Sequence, residues 1–323
     1  HRRRDNIVGL WGCSGAAGRP RQRPMDRTGH HLPASHLLLA LAIVAVWGTN
    51  FVVIRLALDE LPPLLFATLR FTFAFLPAAL FIRRPAVRWR SLAAYGVLIG
   101  FGQFGMLYIA MQGMISPGLA SLVVQSQVFF TIGLAMLVNR ERMRAYQGLA
   151  LLVATSGIAL IILHGDASAT PLGLLLTLIA SLSWGCGNHI AKASGTSDML
   201  GFVVWASLFS IPPLFAASLV MEGWSAMTQA VAHAGSGAWA AVLWQSVGNT
   251  LFGYAAWGWL LSRHPAASIS PTALLVPIFG MGTSALVLGE ALPGWKIGAA
   301  ALVIGGLAIN TLWPMIRRPR SAV

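Results

Sequence analysis

The stretch WGTNFVVIR at 47–55 returns, altered, as WGCGNHIAK at 184–192. Both copies open on Trp-Gly, carry an Asn within four residues and close on a cation. A second echo sits further along, LVNRE at 137–141 and LVLGE at 286–290. Each copy lies in an apolar run long enough for a helix of about 20 residues to cross about 30 Å of hydrocarbon. Counting outward between breaks of charge, Pro or Gly gives ten such runs, at 36–57, 62–82, 91–111, 117–138, 144–164, 171–191, 200–221, 238–262, 268–289 and 294–314. Five fall in each half. An odd number of crossings turns the second copy upside down. The expected fold is therefore all-α and membrane-embedded, ten transmembrane helices arranged as two inverted five-helix repeats. This plan places a substrate site near the midplane at the repeat interface.

Composition agrees. Fifty-six per cent of the 323 residues are hydrophobic and 10% are charged, against about 25% charged in a soluble domain. Mean hydropathy is +0.71. The formal charge of +13 comes from 22 Lys/Arg against nine Asp/Glu, but the cations form no stripe for nucleic acid. Seven precede the first run, and four lie at 83–90, three at 140–144 and three at 317–320. Lys192 and Arg263 fall on the same side of an alternating topology. Opposite them stand Arg55 and Lys296, with Asp59, Glu60, Asp166, Glu222 and Glu290. The positive-inside rule then puts both termini in the cytoplasm, and an inner-membrane location in a bacterium follows from the family resemblance below.

The expected organisation is a basic stretch at 1–35, a first repeat at 36–164, a second at 171–314 and a basic tail at 315–323. Residue 1 is His, and 1–24 are basic and aperiodic. Met25 is read as the native start, with a disordered basic tail as the other reading. Cys13 and Cys186 make neither a disulfide framework nor a zinc spacing. There is no HExxH, no GxSxG and no metal-ligand cluster, so neither an enzyme, a metal site nor a cofactor is expected.

Several stretches are more specific than the helix count: PPLLFATLRF (62–71), SPGLASLVVQSQVFFTIGL (116–134), SWGCGNHIAK (183–192), the run from Gly253 to Leu292, and GAAALVIGGLAIN (298–310). With WGTNFVVIR they resemble the EamA family of the drug/metabolite transporter superfamily, over about 30–315. The resemblance implies a secondary transporter exporting small neutral amino acids by alternating access, O-acetylserine and cysteine first among them. Another cargo on the same fold, such as an aromatic amino acid or a drug, is the alternative. Implied partners are the small-molecule substrate and membrane lipid, with homo-oligomerisation left open.

Polar groups inside hydrocarbon usually face a cavity or a partner helix, which selects the candidate site. Arg70 lies about 12 Å into the second run at 1.5 Å per residue. It can take a carboxylate in a bidentate pair or tie helices together. Ser121 and Gln125 are four apart on one helix face, suited to a zwitterion or to interhelical bonding. Asn50 and Asn188, with Trp47 and Trp184, are repeat-related; their indoles offer faces to an ammonium group. Gln103, Trp205 and Tyr254 complete the set. Glu141 and Glu290 are read as structural groups at helix ends. Pro271 and Pro277 are the expected hinges, since Pro removes a backbone donor and kinks a helix.

Overall fold

The computed structural model describes residues 33–139, 142–164, 168–264 and 266–316. The expected start at Met25, most of the N-terminal basic stretch, Glu141, Asp166 and nearly all of the basic tail lie outside them. Among the described residues the chain is helical, and its one β-type pairing is an isolated bridge between Ile115 and Ala169.

The helices begin with α1, Ala34–Ala57, α2, Pro63–Ala79, α3, Trp89–Met111, and α4, Pro117–Val138. There follow α5, Ala145–His164, α6, Pro171–Ser194, α7, Met199–Met221, and the short α8, Trp224–His233. The chain closes with α9 (236–263), α10, Ser270–Leu288, and α11, Gly294–Ile316. Eight of these are long and apolar enough to cross a membrane. Besides the short α8, two are not among the eight. α2 is apolar but has 17 residues, about 26 Å at the α-helical rise. α9 is interrupted by polar Gln245, Ser246, Asn249 and Thr250, all buried.

Sequence chemistry sets the starts. Pro62-Pro63, Ser116-Pro117 and Thr170-Pro171 put Pro in the first turn, where its missing N–H costs nothing. Ser116, Thr170 and Asp198 accept from the N–H groups of Leu119, Gly173 and Gly201 as side-chain caps.

Four helices depart from α geometry inside the bundle. Leu98–Gly105 in α3 and Trp244–Phe252 in α9 are π-helical. Val124–Ser126 in α4 and Ser270–Leu275 at the start of α10 are 3₁₀ turns. Pro271 sits within the latter turn, and Pro277 in the first turn of the α-helix that follows. Such segments mark hinges and functional sites more often than chance.

Glycines let the helices approach closely. A Cβ on Gly48 of α1 would lie 2.4 Å from Phe279 Cβ and 2.6 Å from the Val276 carbonyl of α10. On Gly185 of α6 it would lie 3.0 Å from Phe130 Cβ of α4, and on Gly306 of α11 2.5 Å from the Ala150 carbonyl of α5.

One end of the bundle gathers the connections that follow α1, α3, α5, α7 and α10. The Gly235 N–H donates to Glu60 at 2.6 Å, and Ser116 N–H to the Ser168 carbonyl at 2.7 Å. Glu222 accepts from the N–H groups of Leu64 (2.6 Å) and Leu65 (3.0 Å), which ties the end of α7 to the start of α2. Its second oxygen also accepts from Ser218 Oγ at 2.5 Å. A carboxylate there satisfies donors that the first turn leaves free, and it meets the positive end of the helix dipole.

Candidate functional site

Arg70 is carried into the interior by the second turn of α2 and is 1% exposed. Its guanidinium donates from Nη1 to Tyr108 Oη at 3.0 Å and from Nη2 to Thr250 Oγ1 at 3.1 Å. The Phe104 ring lies under Cζ, 3.6 Å from its centroid. Nε has no acceptor. Both ion pairs among the described residues lie elsewhere. A buried cation held only by hydroxyl groups and a ring face is under-compensated, and an entering anion would supply what is lacking.

The cavity beside Arg70 lies between α2, α3, α7 and α9, and Tyr95, Phe104, Ser207, Ser210 and Tyr254 line it. Its free space is about 10 Å³, room for about one water molecule. In this conformation the helices are closed around the guanidinium.

Of the residues singled out from sequence, Arg70 and Tyr254 line this cavity. Trp47 backs it, its ring centroid 6.1 Å from that of Tyr254 and its Nε1 donating to the Asn249 carbonyl at 3.3 Å. Asn50 and Gln103 are buried, each with a side-chain oxygen that has no partner. Ser121 donates to its own helix at Gly118 (2.7 Å) and packs on Gly280, while Gln125 is buried in α4. Asn188 Nδ2 donates to Gln127 Oε1 at 2.9 Å, joining α6 to α4, with Trp184 half-buried one turn earlier. Trp205 does not join the cavity. It donates to the Ile82 carbonyl at 3.0 Å and packs edge-on against Trp89 and Phe75, because its place near the start of α7 brings it to the 80–88 connection.

Sequence reasoning missed Tyr95, Ser207, Ser210 and Thr250. Small hydroxyl residues give little signal in apolar runs, although Thr250 and Tyr254 stand four apart on one face.

It also set Lys296 among the boundary charges and read Glu290 as a structural group at a helix end, without pairing them. The structure takes both out of water. Glu290 and Lys296 pair at 3.1 Å, with side chains 9% and 3% exposed. Glu290 also accepts from Ser116 Oγ, from the Gly118 N–H at 3.0 Å and from Ser284 Oγ at 2.5 Å. Burial raises the Glu290 carboxyl's pKa, but the Ser116, Ser284 and Gly118 bonds and the Lys296 charge outweigh it and hold it below its ordinary value. Glu290 therefore stays ionised and pins the end of α10 to the start of α4.

The sequence pattern of the EamA-like transporter family matches residues 34–163 and 171–312. The chain belongs to this family of membrane transporters. It is 39% identical over 287 residues to the "probable amino-acid metabolite efflux pump" of Salmonella typhimurium, covering 87% of this chain and 96% of that one. The Escherichia coli protein of the same name is 38% identical, over 84% of this chain and 93% of its own. One solved crystal structure shares the fold, with a TM-score of 0.58 at 19% identity, over 90% of this chain and 99% of that one.

Proposed function

We propose that the chain is a bacterial inner-membrane exporter of small neutral amino acids and metabolites of the cysteine pathway, O-acetylserine and cysteine among them. The observation that carries this reading is Arg70, a buried guanidinium with a free Nε and no carboxylate partner. A substrate carboxylate at Nε and one Nη would complete its coordination bidentately. The Tyr95, Tyr254 and Ser207 hydroxyls beside it can accept from an ammonium group. The names of the two related efflux pumps point to the same class of cargo.

On this reading the bundle has ten crossings, α2 and α9 completing the eight, and α1–α5 and α6–α11 form the inverted halves, with α8 an inserted turn. Four pairings support the repeat. The π-helical segments fall in α3 and α9, and the 3₁₀ segments in α4 and α10. Gly48 packs α1 on α10 as Gly185 packs α6 on α4. Gly157 of α5 meets Ala299 of α11, as Gly306 of α11 meets Ala150 of α5.

Closure around Arg70 means that cargo enters only when helices part. The 3₁₀ turn at Pro271 and the first turn at Pro277 are the hinges, and buried polar atoms on Asn50, Gln103, Ser126 and Gln245 that have no partner among the described residues are groups that water or cargo would satisfy when the helices part. The charge bias supports cytoplasmic termini. The expressed transporter should therefore lower cellular O-acetylserine and cysteine and raise them in the medium, and unchanged levels would refute this cargo. An aromatic amino acid is the second reading, favoured by Phe71, Phe104 and Tyr95 around the guanidinium.

A further inference from the structure

A second cavity, far larger than the first, opens at the end of the bundle that gathers the α1–α2, α3–α4, α5–α6 and α10–α11 connections. It has about 330 Å³ of free space, in the range of small-ligand sites. Arg55 and Asp59 stand on one wall. Met111, Ile115 and Leu288 supply apolar surface, and Ser116 and Glu290 close the side toward α4.

The two wall charges are only half used. Arg55 and Asp59, one turn apart on α1 and its end, touch through a single Nη1–Oδ1 contact of 2.5 Å. A guanidinium has five N–H donors and a carboxylate two oxygens, so four donors and Asp59 Oδ2 have no partner among the described residues. Their side chains are 38% and 59% exposed. Glu290, by contrast, is saturated by Ser116, Gly118, Ser284 and Lys296 and offers no counter-charge. Among the described residues the cavity thus presents a cation and an anion paired to each other by one contact, each with unused hydrogen-bonding capacity, beside an apolar floor.

That combination fits one ligand class. An α-amino acid carries its carboxylate and ammonium on a single carbon, and its side chain projects from that carbon. We infer that this cavity is an outer zwitterion site, with Arg55 taking the carboxylate, Asp59 the ammonium, and Met111, Ile115 and Leu288 the side chain. The inference rests on the amino-acid cargo proposed above and adds a second station, where cargo pauses after leaving Arg70. Both charges face water, so the site is weak and salt-sensitive.

Equilibrium dialysis of the purified full-length protein with radiolabelled L-cysteine, kept reduced, tests it. Wild type should bind in two components. Arg70→Ala should remove one, and Arg55→Gln with Asp59→Asn should weaken the other by about tenfold, equal to about 1.4 kcal/mol. High salt should weaken the second component alone. The swapped variant Arg55→Asp/Asp59→Arg retains an i,i+4 ion pair but turns the ligand's side chain away from the apolar floor, so it should stay impaired. A single component, abolished by Arg70→Ala and untouched at Arg55 and Asp59, would overturn the outer site and leave the cargo reading standing. Full rescue by the swap would reduce the pair to a helix brace and overturn it equally. Wild type that binds no cysteine would overturn both readings.

Discussion

Replacing Arg70 perturbs one group with separable roles in binding and packing. In the closed state it makes two hydrogen bonds to neutral hydroxyls and stacks on Phe104. In the loaded state it would add two charge-assisted bonds to a carboxylate, each about 1.5–3 kcal/mol. Some of that gain is offset by contacts released to Tyr108 or Thr250, so about 3 kcal/mol of net affinity rests on the guanidinium, about a hundredfold. Arg70→Ala should raise KM for export by about that factor. Arg70→Lys keeps the charge but not the fork, and should lie between, near tenfold by the same conversion. The folded state should survive both changes, since the substitution also removes a buried Nε without an acceptor. The assay is initial-rate flux in proteoliposomes, with size-exclusion profiles confirming folded protein. Substrates lacking the carboxylate supply the control: wild type should reject the decarboxylated amine, and Arg70→Ala should no longer discriminate. Arg70→Ala with unchanged KM and unchanged discrimination would refute the carboxylate assignment.

Other outcomes follow from the second polar cluster and the helix contacts. Lys296→Met leaves Glu290 buried without its cation, and thermal melts should show a loss of about 3–5 kcal/mol. The double variant Lys296→Met/Glu290→Gln should recover part of it. Glu290 has its pKa lowered on folding, so its stabilising contribution is complete above the ordinary carboxylate range and is lost as pH falls through the depressed value. Melting temperature should accordingly drop toward acid in wild type, and this acid-side slope should flatten in Glu290→Gln. Gly48→Ala should destabilise sharply, because its Cβ would strike the α10 backbone, while Gly282→Ala, with nothing within 4 Å, should melt like wild type.

Each of the two Trp-Gly segments marks a close helix contact. Gly48 admits a neighbouring backbone that a methyl group would exclude, and Gly185 packs tightly on α4, so the Gly at each position answers to a helix contact. Arg70 was legible for a different reason. An ionised side chain deep in an apolar run needs a partner or a cavity, and few residues in this chain raise that demand. The remainder of its surroundings was hidden, since Thr250, Ser207 and Ser210 look like ordinary small residues until π-helical turns and crossing helices aim them. Trp205 shows the opposite error: a polar-tipped ring in an apolar run is equally at home beside a helix end, where Ile82 supplies its acceptor. The Glu290–Lys296 pair was hidden by distance from the helix centres. Both residues stand beside a connection, yet Ser116, Gly118 and Ser284 close over Glu290, and Lys296 is buried against it.

Counterflow tests the central claim most directly. Proteoliposomes loaded with unlabelled O-acetylserine should accumulate labelled O-acetylserine or cysteine from outside when they carry the wild-type protein. They should not accumulate the decarboxylated amine, and vesicles carrying Arg70→Ala should accumulate neither. Wild-type vesicles that exchange none of these amino acids, or Arg70→Ala vesicles that exchange them as fast as wild type, would contradict the account.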